Sequence, residues 1–173
     1  CHSIQRLSVK RKNQARRKLL FVRNLDNIFL KNFKQIIDAY FGENYSSTYF
    51  HGDVLKSNFK SIQNDNVLLI YSSSDDKFYL NLIVAKEKGK GHGAKMLDMF
   101  KEIIAADFYI ETWLYEGNKG LIKWIEANDG EVVKVVQNFW LKDSIEENYS
   151  CSICGHPCQC TMTLYCVKNS RKK

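Results

Sequence analysis

Residues 88–93 read Lys-Gly-Lys-Gly-His-Gly and join two segments of different hydrophobic pattern. A largely apolar run at 78–84 is typical of a strand, whereas apolar residues recur every three or four positions over 94–104, as in a helix. A glycine turn that opens a helix gathers backbone N–H groups at the positive end of the helix dipole, which suits a pyrophosphate. Glycine also meets purely steric needs in such turns, so an anion site and a structural turn are alternatives.

The other segments predict a single α/β domain over 1–173, because 173 residues with 45% hydrophobic content suffice for one core. Residues 1–17 form a basic N-terminal segment. The predicted elements are strand 18–23, a helix from Asp26 to a stop at Gly42, helix 54–62, strands 67–71 and 78–84 as a hairpin, helix 94–104, strand 108–114, helix 118–128, and strands 131–141 and 161–167. This order, β-α-α-β-β-α-β-α-β-β, predicts a mixed, mostly antiparallel sheet flanked by helices.

The net charge of +7 is concentrated in basic residues at 10–18 and 171–173. Such runs are typical of solvated tails, and they also suit a polyanion such as nucleic acid. No run approaches the roughly 20 apolar residues that cross a bilayer, and the first residues lack the order of a secretory signal. We therefore expect a soluble, cytoplasmic protein without a membrane partner.

Four of the six cysteines lie within ten residues: Cys151, Cys154, Cys158 and Cys160. Their Cys-x-x-Cys-Gly-His start is typical of a zinc knuckle, in which glycine permits the turn that presents two thiolates to one metal. Structural zinc, free or redox-active thiols, and a catalytic cysteine are the alternatives, with His156 as a substitute ligand. Cys166, His51 and His92 are expected to be ordinary core or surface residues.

Two common phosphate-binding loops do not match the glycine segment. The chain has no Gly-x-x-x-x-Gly-Lys-Ser/Thr sequence, and a dinucleotide-binding fold has its glycine turn after the first strand rather than midway along the chain. The segment instead resembles the coenzyme motif Gln/Arg-x-x-Gly-x-Gly/Ala of the GNAT acyltransferases. A second family feature, an asparagine between a strand and a helix, is matched by Asn118.

The resemblance implies an N-acyltransferase that moves an acetyl or other acyl group from acyl-CoA to an amine. The backbone of 82–85 would pair with the pantetheine arm, and 88–94 would hold the pyrophosphate. Asn118 would contact the coenzyme or support the separating strands. The implied coenzyme residues are Leu82, Ile83, Val84, Ala85, Lys88, Gly89, Lys90, Gly91, His92, Gly93, Ala94 and Asn118.

Two departures from the family pattern concern catalysis. Lys88 keeps the positive charge of the first motif position without the planar fork of arginine. Ile125 stands where many members have a tyrosine that protonates the departing thiolate. We expect Glu111 to accept a proton from the amine and Tyr115 to serve as a substitute acid, against the alternatives of an exposed strand residue and a packed aromatic.

Three functions follow from these patterns. The first is acyl transfer to an amine of unspecified class. The second is the same transfer to nucleic acid or a nucleobase, which the basic ends and the cysteine cluster would serve together. The third is a non-catalytic GNAT-like binding module, as Ile125 suggests. The cysteine-rich insertion, 144–160 between the last two strands, is expected near the acceptor side, where a metal-bound loop would shape the acceptor pocket.

Overall fold

The computed structural model describes residues 27–113 and 118–169. Its helices are α1 (Asn27–Phe41), α2 (His92–Ile104), α3 (Lys119–Ala127) and α4 (Leu141–Glu146), with a 3-10 turn at Tyr45–Thr48. Its strands are β1 (Phe50–His51), β2 (Val54–Leu55), β3 (Phe59–Gln63), β4 (Val67–Ser74), β5 (Lys77–Ala85), β6 (Phe108–Trp113), β7 (Glu131–Val136) and β8 (Met162–Val167). None of the helices in these ranges is long and apolar enough to cross a membrane.

Six strands form one sheet in the order β3-β4-β5-β6-β8-β7. Only the β5–β6 pair is parallel, and the other neighbours in this sheet are antiparallel. The predicted mixed, mostly antiparallel sheet with flanking helices is therefore confirmed. Strand β8 lies between β6 and β7, so the chain crosses from the edge strand β7 back into the sheet through residues 137–161.

Each face of the sheet carries its own core. Helix α1 places Phe33 and Ile37 against one face, where Leu68 and Ile70 of β4 are also buried. Helices α2 and α3 cover the other face with Phe100 and other apolar residues. Since neighbouring residues of a strand point to opposite faces, a strand covered on both sides is apolar throughout, as residues 67–70 are.

Most predicted elements occupy their expected positions. The hairpin of β4 and β5, helix α2, strand β6, helix α3 and strand β8 all lie within or close to the predicted ranges. Helix α1 ends at Phe41, before the expected stop at Gly42, whose φ is 130°. The predicted strand at 18–23 and residues 1–17 lie outside the described residues.

The helix predicted over 54–62 is wrong. Val54 and Leu55 form β2, which pairs with β1, and Phe59–Gln63 pairs with β4 as the first strand of the main sheet. Val54 is 70% exposed, so the segment has no continuous buried helical face. The Asn64 side chain accepts hydrogen bonds from the backbone N–H groups of Asn66 and Val67 at 2.9 Å each, which closes the turn between β3 and β4.

The strand predicted over 131–141 is too long. Strand β7 ends at Val136, Asn138 has a φ of 53°, and Leu141 begins α4. A left-handed residue interrupts an extended chain, and asparagine adopts this conformation more readily than most residues. Phe139 and Trp140 therefore lie in the turn before α4, and Leu141 lies in that helix rather than in the sheet.

Candidate acyl-coenzyme A and acceptor site

Strands β5 and β6 separate in the middle of the sheet. Their parallel pairing ends at Leu80 and Ile110. On its other side β5 contains a bulge, because Ile70 pairs with Leu82 while Tyr71 pairs with Leu80, which leaves Asn81 as the extra residue. Leu80 consequently belongs to the core under α2, whereas Leu82 belongs to the core under α1. Among the described strands, none pairs with the β6-facing edge of β5 beyond Leu80.

This separation opens a cavity of about 450 Å³. Eleven of the twelve predicted coenzyme residues line it, and Lys90 is the exception. Glu111 lines the same cavity, together with Trp113, Trp140 and Tyr149. The glycine loop and the predicted proton acceptor therefore face one continuous space, although they lie twenty residues apart in the sequence.

The glycine loop reaches helix α2 through two residues in the left-handed region, Gly89 at φ 76° and Gly91 at φ 75°. Gly91 immediately precedes the helix, and its carbonyl accepts the N–H of Lys95 at 3.2 Å. The N–H groups of the first helical turn have no carbonyl acceptor within an α-helix. A Cβ atom at Gly89 or Gly91 would meet nothing within 4 Å, so the space beside this turn is open to a ligand.

Asn118 joins the end of β6 to the start of α3. Its Nδ2 atom donates to the Trp113 carbonyl at 2.8 Å and to Thr112 Oγ1 at 3.0 Å. These bonds hold the last residues of β6, which have no β5 partner at this point. Asn118 also lines the cavity, so the structure is compatible with both of its predicted roles.

Glu111 is largely withdrawn from water at the point where the strands part. Asn81 Nδ2 donates to Glu111 Oε2 at 3.1 Å, and the Tyr49 hydroxyl donates to the Asn81 carbonyl at 3.2 Å. Burial raises the pKa of the Glu111 carboxyl, the hydrogen bond from Asn81 opposes that increase, and the charge of Asp143 adds to it. A carboxylate with a raised pKa in a cavity is suited to accepting a proton.

The Asn81 side chain leaves one polar atom without a partner. Its amide oxygen is buried and receives no hydrogen bond from the described residues. The amide nitrogen must face Glu111, since a carboxylate only accepts, and this fixes the amide oxygen as an unused acceptor. Asn81 lines the cavity, and no sequence pattern pointed to it, because the bulge depends on pairing with β4.

Five aromatic side chains that line the cavity form a connected wall. We call the part of the cavity that they line the acceptor chamber, with the wall made by Phe41, Tyr45, Trp113, Trp140 and Tyr149. Tyr45 contacts Tyr149 with ring centroids 4.8 Å apart and stacks on Phe41 at 5.2 Å. Phe41 stacks on Trp113 at 5.8 Å, and Trp113 meets Trp140 at 6.3 Å. No sequence motif identified these residues.

The four clustered cysteines place their sulfur atoms within 4.8 Å of one another. Cys151 Sγ is 3.6 Å from Cys160 Sγ, and Cys154 Sγ is 3.7 Å from Cys158 Sγ and 3.4 Å from Cys160 Sγ. These separations far exceed the roughly 2.0 Å of a disulfide. They approach the edge of a tetrahedron whose centre is about 2.3 Å from each sulfur, as in a zinc site. The residues present fit a four-thiolate metal site.

The backbone of residues 151–160 has the form of a metal-binding knuckle, and we call this segment the knuckle. Cys151 and Gly155 exchange two backbone hydrogen bonds of 2.9 Å, and Gly155 has a φ of 79°. The N–H groups of Ile153 and Gln159 point to Cys151 Sγ at 3.4 Å and Cys154 Sγ at 3.2 Å, which stabilises thiolates. His156 does not belong to the group whose ligand atoms lie close together, and its Nδ1 lies 3.0 Å from the Tyr149 carbonyl.

The other predicted residues are distributed as follows. Tyr115 lies outside the described residues. Cys166 is buried in β8, as expected for a core residue. His51 is exposed, whereas His92 lines the cavity at the start of α2. Ile125, at the family's tyrosine position, is completely buried. Lys88 Nζ lies 4.1 Å from the centre of the Tyr40 ring, beside the glycine loop.

The described residues are slightly acidic, although the whole chain is basic. They contain 15 Lys and Arg residues and 17 Asp and Glu residues, whereas residues 1–26 contain eight basic residues and one acidic residue and residues 170–173 contain three basic ones. The surplus positive charge therefore lies in the terminal segments of the sequence, outside the described residues.

Comparison with known proteins finds structural similarity without sequence similarity. No family model matches the chain, and no curated protein matches it by sequence. The ribosomal-protein-S18-alanine N-acetyltransferase from Escherichia coli is 13% identical, with a TM-score of 0.57 over 86% of this chain and 93% of that one. Arabidopsis thaliana NAA60, bound to a bisubstrate analogue, is 10% identical, with a TM-score of 0.57 over 84% and 95%.

An N-acetyltransferase from Staphylococcus aureus Mu50 is similar in the same way, at 11% identity and a TM-score of 0.54 over 85% of this chain and 96% of that one. At such identities the comparison shows the fold alone. The fold is that of the GNAT acetyltransferases, as the glycine loop and Asn118 predicted. The two motifs thus identified an architecture that overall sequence similarity does not detect.

Proposed function

We propose that this protein transfers an acyl group from acyl-coenzyme A to an amine. The observation that carries the proposal is the single cavity that connects the glycine loop to Glu111. A pyrophosphate would bind the N–H groups at the start of α2, beside Gly89 and Gly91. The pantetheine arm would lie along the edge of β5 that β6 leaves free, at 82–85, and would bring its thioester to the bulge at Asn81.

Glu111 is then the proton acceptor for the attacking amine. The amine nitrogen bonds to the carbonyl carbon of the thioester, the carbon–sulfur bond breaks, and the nitrogen loses a proton to the Glu111 carboxylate. The departing thiolate needs a proton, which Ile125 has no group to supply. We propose Tyr115 as its donor on the strength of the sequence. Positioning of the two substrates in one cavity would contribute much of the rate enhancement.

The cysteine cluster is proposed to bind one zinc ion through Cys151, Cys154, Cys158 and Cys160. With four protein ligands no coordination position remains for a substrate, so the metal would have a structural role. The knuckle is tied to the acceptor chamber: Ser144 Oγ accepts the Cys158 N–H at 2.8 Å, and the Tyr149 hydroxyl donates to the Trp140 carbonyl at 3.3 Å.

A non-catalytic binding module is the second candidate function. The complete burial of Ile125 favours it, because this position provides no acid to the cavity. Both candidates predict binding of acyl-coenzyme A, and only the first predicts an acylated amine. Mass spectrometry of a mixed amine library after incubation with acetyl-coenzyme A therefore separates them.

Thermal unfolding with and without acetyl-coenzyme A tests the proposed coenzyme site. A ligand at 100 times its Kd stabilises the folded state by about 2.7 kcal/mol. Ala94 is exposed in the first turn of α2 and lines the cavity. Ala94→Glu should preserve the fold, since a carboxylate is favourable at a helix N-terminus, and should weaken coenzyme binding at least tenfold by charge repulsion.

Ala94→Gln is the matched variant, with nearly the same size and no charge. It should lose several-fold less affinity than Ala94→Glu, and the difference between the two should shrink at high salt. If no thioester stabilises the wild-type protein, or if the two variants bind acetyl-coenzyme A equally well, the proposed coenzyme site is wrong.

A further inference from the structure

The acceptor chamber presents a carboxylate and ring faces to its occupant. The Glu111 carboxylate lines the cavity, and Asn81 beside it has an amide oxygen that is buried without a hydrogen-bond partner among the described residues. A protonated primary amine carries three N–H donors and a positive charge, so it complements the carboxylate. An alcohol has one donor, and a carboxylate or phosphate has none.

The proposed zinc site would add negative charge beside the chamber. Cys151 and Cys158 line the cavity, and both belong to the four-cysteine group. Four thiolates around one divalent metal ion would leave a net negative charge on the cluster. Tyr45 packs against the group formed by Tyr149, Cys151 and Cys158 and, through Tyr49, connects to the Asn81 backbone. With zinc bound, the cluster and Glu111 would both contribute negative charge to the cavity.

Lysine and arginine are nearly absent from the described residues that line the cavity. Lys88 is the only lysine or arginine among the described residues that line it, and it lies beside the glycine loop over Tyr40. At the acceptor end the faces of Tyr and Trp rings would attract a cation further, since an aromatic ring face carries partial negative charge. A phosphate or carboxylate on the acceptor would be repelled there.

We infer that the acceptor is a compact primary amine that binds as a cation, with an apolar or aromatic body, and that amines carrying phosphate near the reacting nitrogen are excluded. This inference rests on the proposed acyl transfer and adds its substrate class. The bound cation gives one proton to Glu111, which releases it to water, and the neutral amine then attacks the thioester. The nitrogen gives its second proton to the same carboxylate, and this proton balances the one that the departing thiolate takes up. The products are an amide, the free thiol of coenzyme A and one proton released to water.

A matched series of small molecules tests this inference. Binding of 2-phenylethylamine, 2-phenylethanol, phenylacetate and cytidine monophosphate is measured by calorimetry, with the zinc-loaded full chain saturated with coenzyme A. Saturation is established first, so that a failure of the coenzyme site is seen separately. We expect the amine to bind at least tenfold more tightly than the alcohol, and the two anions to show no binding.

Glu111→Gln should lower the affinity for the amine about tenfold and leave that for the alcohol within twofold. Trp140→Leu should weaken both, whereas Phe139→Leu, next to Trp140 and not lining the cavity, should weaken neither. Coenzyme affinity serves as the folding control for each variant. The inference is overturned if the alcohol binds as tightly as the amine, or if cytidine monophosphate is bound or acylated, while coenzyme A still binds.

Discussion

Asn81 and Glu111 face each other where β5 and β6 part, and Asn81 Nδ2 donates to Glu111 Oε2 at 3.1 Å. The bulge in β5 gives Asn81 this position, and the end of parallel pairing at Leu80 and Ile110 leaves both residues in the lining of the cavity. The irregularity that separates the strands at the proposed coenzyme site therefore also orients the proposed proton acceptor.

Replacing Glu111 should slow catalysis more than it weakens coenzyme binding. A positioned general base contributes about 100-fold to 10,000-fold to rate, so Glu111→Gln should lower kcat by a factor in that range. The wild-type rate should rise with pH through the raised pKa of Glu111, because only the ionised carboxylate accepts a proton. Steady-state kinetics from pH 5 to pH 9 measures this dependence. If the rate of Glu111→Gln rises with pH on the acidic side as the wild-type rate does, Glu111 is not the proton acceptor.

The same carboxylate should reduce stability at neutral pH. Because burial raises the pKa of Glu111 in the folded state, the folded protein binds more protons than the unfolded chain between the two pKa values. The stabilisation that the protonated Glu111 carboxyl contributes is therefore present at low pH and is lost as the pH rises through its folded pKa. Urea unfolding should show that Glu111→Gln gains stability relative to wild type between pH 4 and pH 8. The gain should be about 1.4 kcal/mol for each tenfold difference in proton affinity between the folded and unfolded carboxylate.

Removing the metal should lower stability substantially. Structural zinc contributes about 10–16 kcal/mol of binding free energy in isolated knuckle-type peptides, much of which appears as folding free energy. A chelator, or Cys154→Ser, should lower the stability by at least about 3 kcal/mol, or roughly 10 °C in Tm for a chain of this size. Metal analysis should find one zinc per chain in wild type.

Cys166→Ser is the control for the cysteine variant, because Cys166 is buried in β8 and lies outside the four-cysteine group. It should lose some stability from a buried hydroxyl and should keep one zinc ion per chain. A wild-type protein without metal, or a Cys154→Ser protein with full metal content, would count against the site.

The glycine turn at the proposed coenzyme end of the cavity could be predicted from sequence because its signals are local. The turn, the strand before it and helix α2 are contiguous in residues 77–104, and each has its own composition and period. The clustering of the four cysteines could be predicted for the same reason, since all four lie within ten residues. Local sequence patterns were sufficient for both predictions.

The acceptor chamber could not be predicted in the same way. Tyr45 and Tyr149 are in contact because backbone hydrogen bonds hold the knuckle against the end of α1. Ser152 N–H donates to the Phe41 carbonyl at 2.8 Å, and Ser150 N–H donates to the Glu43 carbonyl at 2.9 Å. Contacts between residues about 100 positions apart leave no periodic signal. Strand β3 was mispredicted for a related reason, because its pairing with β4 outweighs a weak local helical pattern.

Gly42 should be required for this contact between the end of α1 and the knuckle. A Cβ atom there would lie 1.6 Å from the Ser150 carbonyl oxygen and 2.9 Å from the Ser152 nitrogen, both backbone atoms that cannot rotate away. Gly42→Ala should therefore cost about 3–5 kcal/mol, at the upper end of single-residue effects. Gly52→Ala provides the matched control, since Gly52 has a φ of 58° and open space around its Cβ position, so that only backbone strain of about 1–2 kcal/mol applies. Urea unfolding of both variants measures the difference, and equal losses would show that α1 and the knuckle tolerate separation at this point.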